Sequence, residues 1–276
     1  MTAALFDFFD LHVLRAQRIS PGFARVTLGG ECADRLASGG RDQRVKLFLP
    51  RPGQREASLP RGAGDRWWPA WQRMDPATRA VMRTYTVREQ RPGELDLDFA
   101  IHGDVGHACR WARRVRPGDP ATLLGPLTED NAGVGFRPPA DTAWVLLAGD
   151  ATALPAMAGI LAWLPEGMPV KAWIEVAHGA DRQALPTKAD ADVTWLCRDG
   201  LPPGQGDPLL RAVRAAALPQ GTPYAWLAGE AGCVRALRRH LVGDRGFRRD
   251  RITFTGYWRR GVSEDHLIEE AIAAAS

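Results

Sequence analysis

Leu95-Asp96-Leu97-Asp98-Phe99-Ala100-Ile101-His102 and Trp144-Val145-Leu146-Leu147-Ala148-Gly149 carry different hydrophobic periods, and the fold follows from that difference. The first alternates, as a half-buried antiparallel strand must when successive side chains point to opposite faces. The second is an unbroken apolar run ended by glycine, which suits a strand covered on both faces. Outward from the first stretch, short apolar runs at 26–28, 45–49, 84–88 and 121–124 are separated by Gly, Pro and Asp. They predict a small antiparallel β-barrel. The Pro-, Gly- and Arg-rich segment 50–81 reads as an excursion from it, with Trp67, Trp68 and Trp71 pinning the segment to the barrel surface or covering a site.

Outward from the second stretch, runs at 170–177, 193–197, 224–228 and 252–257 alternate with helical stretches at 153–164, 208–217 and 232–242. Pro155 falls in the first turn of its helix, where proline is tolerated. Strands alternating with helices predict a doubly wound parallel α/β sheet. The change of period at Pro138-Pro139 divides the chain into expected domains 1–138 and 139–276.

The 276 residues, 45% hydrophobic and 25% charged, can bury a large core and exceed one typical domain. A net charge of +4 favours anionic ligands but is too small to imply nucleic acid. Cys32, Cys109, Cys197 and Cys233 form no C-x-x-C pair, so no zinc ribbon, iron–sulfur cluster or disulfide framework is expected. The start, MTAALFDFFDLHV, has no basic residue before its apolar stretch and carries Asp7 and Asp10, which makes it a poor signal peptide. The longest near-apolar run, 153–165, is too short to span a bilayer. A cytoplasmic protein without membrane insertion is expected.

Arg83-Thr84-Tyr85-Thr86-Val87-Arg88 is the most informative motif. On a strand, Arg83, Tyr85 and Val87 share one face, which sets an aromatic ring beside a guanidinium fork. A flavin needs both, one to stack on its isoalloxazine and one to hold its pyrophosphate. Taken alone, the motif reads first as a cross-strand tyrosine packed under a solvated arginine, and only its context favours the flavin. Gly149-Asp150-Ala151-Thr152-Ala153 sits where a parallel strand meets its helix, at the crevice where doubly wound sheets bind nucleotides. Gly229-Glu230-Ala231 repeats that placement at the fourth parallel strand. Asp150 or Thr152 is alternatively an N-cap, a role that can coexist with binding, and Glu230 alternatively complements the positive end of the helix over 232–242. No G-x-G-x-x-G is present, so the ordinary dehydrogenase mode is disfavoured.

In order along 15–262, Val45-Lys46-Leu47-Phe48-Leu49-Pro50, the Arg83 strand, the segment around His102-Gly103, Gly118-Asp119, Gly125-Pro126, Leu147-Ala148-Gly149-Asp150, Trp226-Leu227-Ala228-Gly229-Glu230 and Gly256-Tyr257-Trp258-Arg259 resemble the siderophore-interacting protein family. These are flavin-dependent NAD(P)H ferric-siderophore reductases related to ferredoxin reductases. The resemblance implies an FAD-binding barrel over 1–138 and an NAD(P)H-binding α/β domain over 139–276. It implies FAD contacts from Arg83, Tyr85 and Thr86, with Tyr85 against the ring and Thr86 near its reactive edge, and a second flavin element formed by His102, Gly103, Gly106, Ala108 and Cys109. There His107 replaces the family's usual proline and Cys109 its usual hydroxyl residue, which predicts weaker flavin retention. Asp150, Thr152, Ala153, Glu230 and Trp258 are implied at the nicotinamide nucleotide. NADPH or NADH is the donor, with Arg182 and Arg198 as candidates for a 2′-phosphate. Ala151 stands where the family usually has an acid.

A nicotinamide delivers two electrons as hydride and ferric iron accepts one, so a flavin between them is required and no activated nucleophile is. The resemblance implies a ferric siderophore as acceptor, with Lys46 and Arg259 as the cations that would draw an anionic chelate. The expected state is a monomer. Two alternatives stay open on the residues: a general flavin or ferredoxin-type NAD(P)H reductase, and a ferric-siderophore binder without catalysis.

Overall fold

A computed structural model describes residues 5–101, 106–202 and 206–275. The chain forms two compact units, one of Met1–Ile19, Phe23–Val134 and Ser263–Ser276, the other of Ser20–Gly22 and Gly135–Val262. The main division therefore falls just ahead of Pro138-Pro139, and the last stretch, Ser263–Ser276, belongs with the first unit rather than the second.

In the first unit, β1 (Phe6–Ser20), β2 (Phe23–Gly29), β3 (Arg44–Leu49), β4 (Val81–Arg91), β5 (Glu94–Ala100) and β6 (Pro120–Pro126) close a barrel in the order β1-β2-β5-β4-β3-β6. Strand β1 is absent from the sequence reading, although Phe9, Leu11 and Val13 repeat at every second position and are buried. On β5, Leu95, Leu97 and Phe99 fill the interior as the alternation predicts. Asp96 and Asp98, expected in solvent, are buried as well. Arg25 grips Asp98 through Nε and Nη2 at 2.6 and 2.8 Å, and Asp96 accepts from Thr27 and Arg91 at 2.7 and 2.9 Å, so the outer face of the strand lies under its own counter-ions.

The excursion after β3 contains α1 (Trp67–Arg73). Trp71 packs with Phe48, Met82 and Leu124 on the outside of the barrel, stacked on Trp68 and capped by the Arg79 guanidinium 4.0 Å from its ring centroid. Burying one such indole removes about 200 Å² of mainly apolar surface, on the order of 5 kcal/mol before entropy, enough to hold a segment with little regular structure. The short helix α2 (His107–Arg114) follows β5.

The second unit is a five-stranded parallel sheet in the order β11-β10-β7-β8-β9. Its strands are β7 (Trp144–Asp150), β8 (Pro169–Val176), β9 (Asp190–Cys197), β10 (Pro223–Glu230) and β11 (Ile252–Trp258). Helices α3 (Leu154–Trp163), α4 (Pro208–Ala215) and α5 (Ala231–Gly243) connect them. Strand order reverses between β7 and β10, which sets the ligand crevice outside the carboxyl ends of those two strands. The chain then returns to the first unit as α6 (Glu264–Ala275), a helix the sequence reading does not anticipate. No described helix is long and apolar enough to cross a membrane.

Candidate functional site

In the second unit, Asp150 ends β7 and ties the switch point together. Its Oδ1 accepts from the Thr152 amide at 2.9 Å and the Thr152 hydroxyl at 2.5 Å, while Oδ2 accepts from the Glu230 amide and the Trp258 indole N–H, both at 2.8 Å. One carboxylate thus links the carboxyl ends of β7, β10 and β11. Gly229 makes the approach possible: its φ is +133°, and a Cβ there would lie 2.5 Å from Asp150 Oδ2. Glu230 caps α5, accepting from the Cys233 amide at 2.8 Å, so the N-cap reading of Asp150 and the placement of Glu230 at the positive end of its helix both correspond to contacts. Ala153 is fully buried at the start of α3, where it sets the backbone of the turn rather than offering a polar group.

Asp150, Glu175, Asp207, Glu230 and Cys233 line the crevice. Burial, reinforced by Asp150, pushes the Glu175 carboxyl up to about 7 even though Arg198 Nε lies 3.3 Å away. Burial beside Glu175 pushes the Cys233 thiol up to about 12, so it is not a nucleophile near neutral pH. Neither Glu175 nor Asp207 is assigned a site role from the sequence, because an isolated acid at a strand end or helix start carries no pattern of its own. Of the two arginines considered for a 2′-phosphate, Arg198 is buried, paired with Glu175 and donating to the Leu201 carbonyl at 2.7 Å. Arg182 is exposed, against the Cys197 sulfur at 3.7 Å.

In the first unit, β4 places Arg83 and Tyr85 side by side. The Tyr85 ring packs on Phe99 with centroids 4.3 Å apart, and Phe99 packs in turn on Trp111 at 5.7 Å. Burial pushes the Tyr85 hydroxyl well up, which keeps it protonated. Thr86 is buried on the opposite face. Lys46, across from Thr84 on β3, donates to the Thr84 hydroxyl at 2.8 Å, and burial with Arg44 nearby lowers its pKa. Arg259, after β11, forms a bridge with Val262 in the second unit.

His102 and Gly103 lie outside the described residues. The part of that loop which is described starts α2 without a side-chain cap, beside Gly106 at φ +94° with open space where a Cβ would stand. Ala108 is buried beneath it, and Cys109 donates through sulfur to the Ala100 carbonyl. His107 is bound by ring Nε2 to the Pro50 carbonyl at 3.1 Å, which requires Nε2–H, and burial together with Arg83 holds its pKa down. That bond ties the helix start to the end of β3 and supplies part of the restraint a proline would have given.

These donors suit a flavin phosphate. Gly106, with φ +94° at the start of α2, lets a backbone approach a phosphate closely, and the fork of Arg83 already holds paired anionic oxygens. The oxygens belong to Asp265, which lies across Nη1 and Nη2 at 2.7 and 3.1 Å, while Glu264 sits 3.2 Å from Nε. Both acids belong to α6 and went unnoticed in the sequence, where consecutive acids at a helix start signal nothing beyond a favourable first turn.

Comparison with known proteins finds matches to both units. A family model described as the siderophore-interacting FAD-binding domain matches residues 12–130, and one described as siderophore-interacting protein matches residues 142–261. The chain is 32% identical over 265 residues to ferric vibriobactin reductase ViuB of Vibrio cholerae, covering 94% of this chain and 92% of that protein. It is 30% identical over 255 residues to an NADPH-dependent ferric-chelate reductase of Escherichia coli, covering 91% and 92%. Among solved structures, a siderophore utilization protein from T. fusca superposes with a TM-score of 0.80 at 38% identity over 94% of this chain and 95% of that one. The ferredoxin reductase of carbazole 1,9a-dioxygenase, at 17% identity, a TM-score of 0.61 and coverage of 92% and 70%, shares the fold alone. With both units matched in order and relatives aligned nearly end to end, the chain belongs to the siderophore-interacting protein family.

Proposed function

We propose that the protein is an FAD-dependent ferric-siderophore reductase, taking electrons from NAD(P)H and passing them to the Fe(III) of a siderophore complex, which releases Fe(II). The observation that carries this reading is the alignment across both units to a relative named for ferric vibriobactin reduction. Bound FAD supplies the conversion of a two-electron hydride into single-electron transfers. The residues of the chain bind and orient the partners. Tyr85 faces the flavin ring with Thr86 near its reactive edge. Arg83 and the loop from His102 and Gly103 through Gly106, Ala108 and Cys109 cradle the phosphates. Asp150, Thr152, Ala153, Glu230 and Trp258 hold the nicotinamide nucleotide at the switch point. With Arg198 engaged by Glu175, Arg182 is the residue that favours NADPH. Lys46 and Arg259 draw an anionic ferric chelate. The absence of a disulfide among the described residues accords with a reducing cytoplasm, where we place the protein as a monomer.

The test is anaerobic mixing of the FAD-loaded protein with NADPH and, separately, NADH, followed by a ferric siderophore. Bleaching of the flavin and its return on adding the iron complex are expected. No bleaching with either nucleotide overturns the reading, and reoxidation by ferredoxin or free flavin but not by the chelate overturns the substrate assignment. For the cation pair, a Lys46→Ala, Arg259→Ala double variant with unchanged apparent affinity for an anionic ferric siderophore removes both residues from the substrate site.

A further inference from the structure

The carboxylates on Arg83 are a built arrangement. All three guanidinium nitrogens are engaged: Nη1 donates to the Met82 carbonyl and to Asp265, Nη2 to Asp265, and Nε faces Glu264 at 3.2 Å. Glu264 also accepts from the Thr84 amide at 3.3 Å. Arg83 is itself 7% exposed, so its charge is spent on this pair with little left to solvent. The hydrogen bond from Arg83 lowers the pKa of Asp265, as expected for an acid kept ionised by its partner.

The rest of α6 is suited to placing those acids. Ile268 and Ile272 follow Glu264 at intervals of four, so all three lie on one stripe of the helix, and both isoleucines pack into the cluster around Phe48, Trp71 and Met82. Both are partly buried there. His266, Glu269 and Glu270 interact among themselves at the exposed surface.

We propose that α6 is an internal competitor for the flavin-phosphate site: Glu264 and Asp265 occupy the Arg83 fork in the flavin-free protein, and FAD must displace them to bind. This rests on the reading of Arg83 as a pyrophosphate ligand. The physical reason is charge. A pyrophosphate diester brings two negative charges to a fork whose donors are already taken by two carboxylates, and the two sets of anions repel one another in the same small space. Flavin loading and docking of α6 are then linked, and each weakens the other by the same factor.

The experiment is titration of flavin-free protein with FAD, followed by flavin fluorescence, for the wild type, Glu264→Gln/Asp265→Asn and Ile268→Asp/Ile272→Asp. The first variant removes the competing charge and the second unseats the helix without touching it. Both are expected to bind FAD at least tenfold more tightly than wild type. A second readout is limited proteolysis: FAD should speed cleavage within 263–276 of the wild type and leave the barrel protected. Wild type that binds FAD while Glu264→Gln/Asp265→Asn binds it equally or more weakly overturns the competition and leaves the flavin assignment standing. If neither wild type nor variants bind FAD, the assignment of Arg83 fails and the competition with it.

Discussion

Replacing Asp150 removes the acceptor that joins three strand ends, and the hydrogen bonds allow the loss to be ranked. Asp150→Ala strands three N–H donors, those of Thr152, Glu230 and Trp258. A hydrogen bond to a charged group is worth about 1.5–3 kcal/mol, and the half-exposed position lets water recover part of it, so a loss of about 3–4 kcal/mol is expected. Asp150→Asn is milder. With its single oxygen kept toward Glu230 and Trp258, the amide nitrogen can donate to the Thr152 hydroxyl, and only the Thr152 amide loses its partner, at about 1–2 kcal/mol. Equilibrium urea denaturation followed by far-UV circular dichroism gives both numbers, and NADPH titration reports whether Trp258 has lost its orientation. If Asp150→Ala lies within about 1 kcal/mol of wild type, or is no worse than Asp150→Asn, the carboxylate is not what holds the switch point together.

Gly229→Ala puts a Cβ 2.5 Å from Asp150 Oδ2 at a φ of +133°, and a loss of about 2–4 kcal/mol is expected in the same denaturation series; a neutral result means the strand end shifts freely. Glu175, with its folded pKa near 7 against 4.5 unfolded, holds a proton in the folded state that the unfolded chain gives up. Its contribution is present below pH 4.5 and lost as pH rises through 7, up to about 3 kcal/mol, and Glu175→Gln should flatten that part of the stability–pH curve between pH 5 and 8. Asn131→Ala breaks a buried reciprocal pair with Gln43, which is fully buried, and leaves the Gly133 amide without its 2.7 Å acceptor. A loss of about 2–4 kcal/mol is expected by thermal or chemical melting, whereas a change below about 1 kcal/mol shows that water replaces the amide.

Much of this was legible in the chain because it is local. Period two at 95–101 and unbroken apolar runs from 144 onward follow from which faces each strand must bury, and they specify barrel and parallel sheet without reference to distant residues. The Arg83 strand and the glycine-ended turns at Asp150 and Glu230 were visible for the same reason, since a strand edge or helix start needs particular residues in place. Strand β1 was equally legible, with Phe9, Leu11 and Val13 in step. Helix α6 was readable as a helix from its composition, but nothing near 264 in sequence says where it docks.

What the sequence determined by itself is therefore the two architectures and the family resemblance, from which the residues proposed for flavin and nucleotide follow. Only the tertiary structure decided how those residues are spent. Arg198 is taken by Glu175, Asp150 is shared by three strands, and Arg83 is held by two acids about 180 positions away in the chain. The physical reason is that a buried charge must be matched wherever the fold happens to bring an opposite one, and that partner follows no local periodicity.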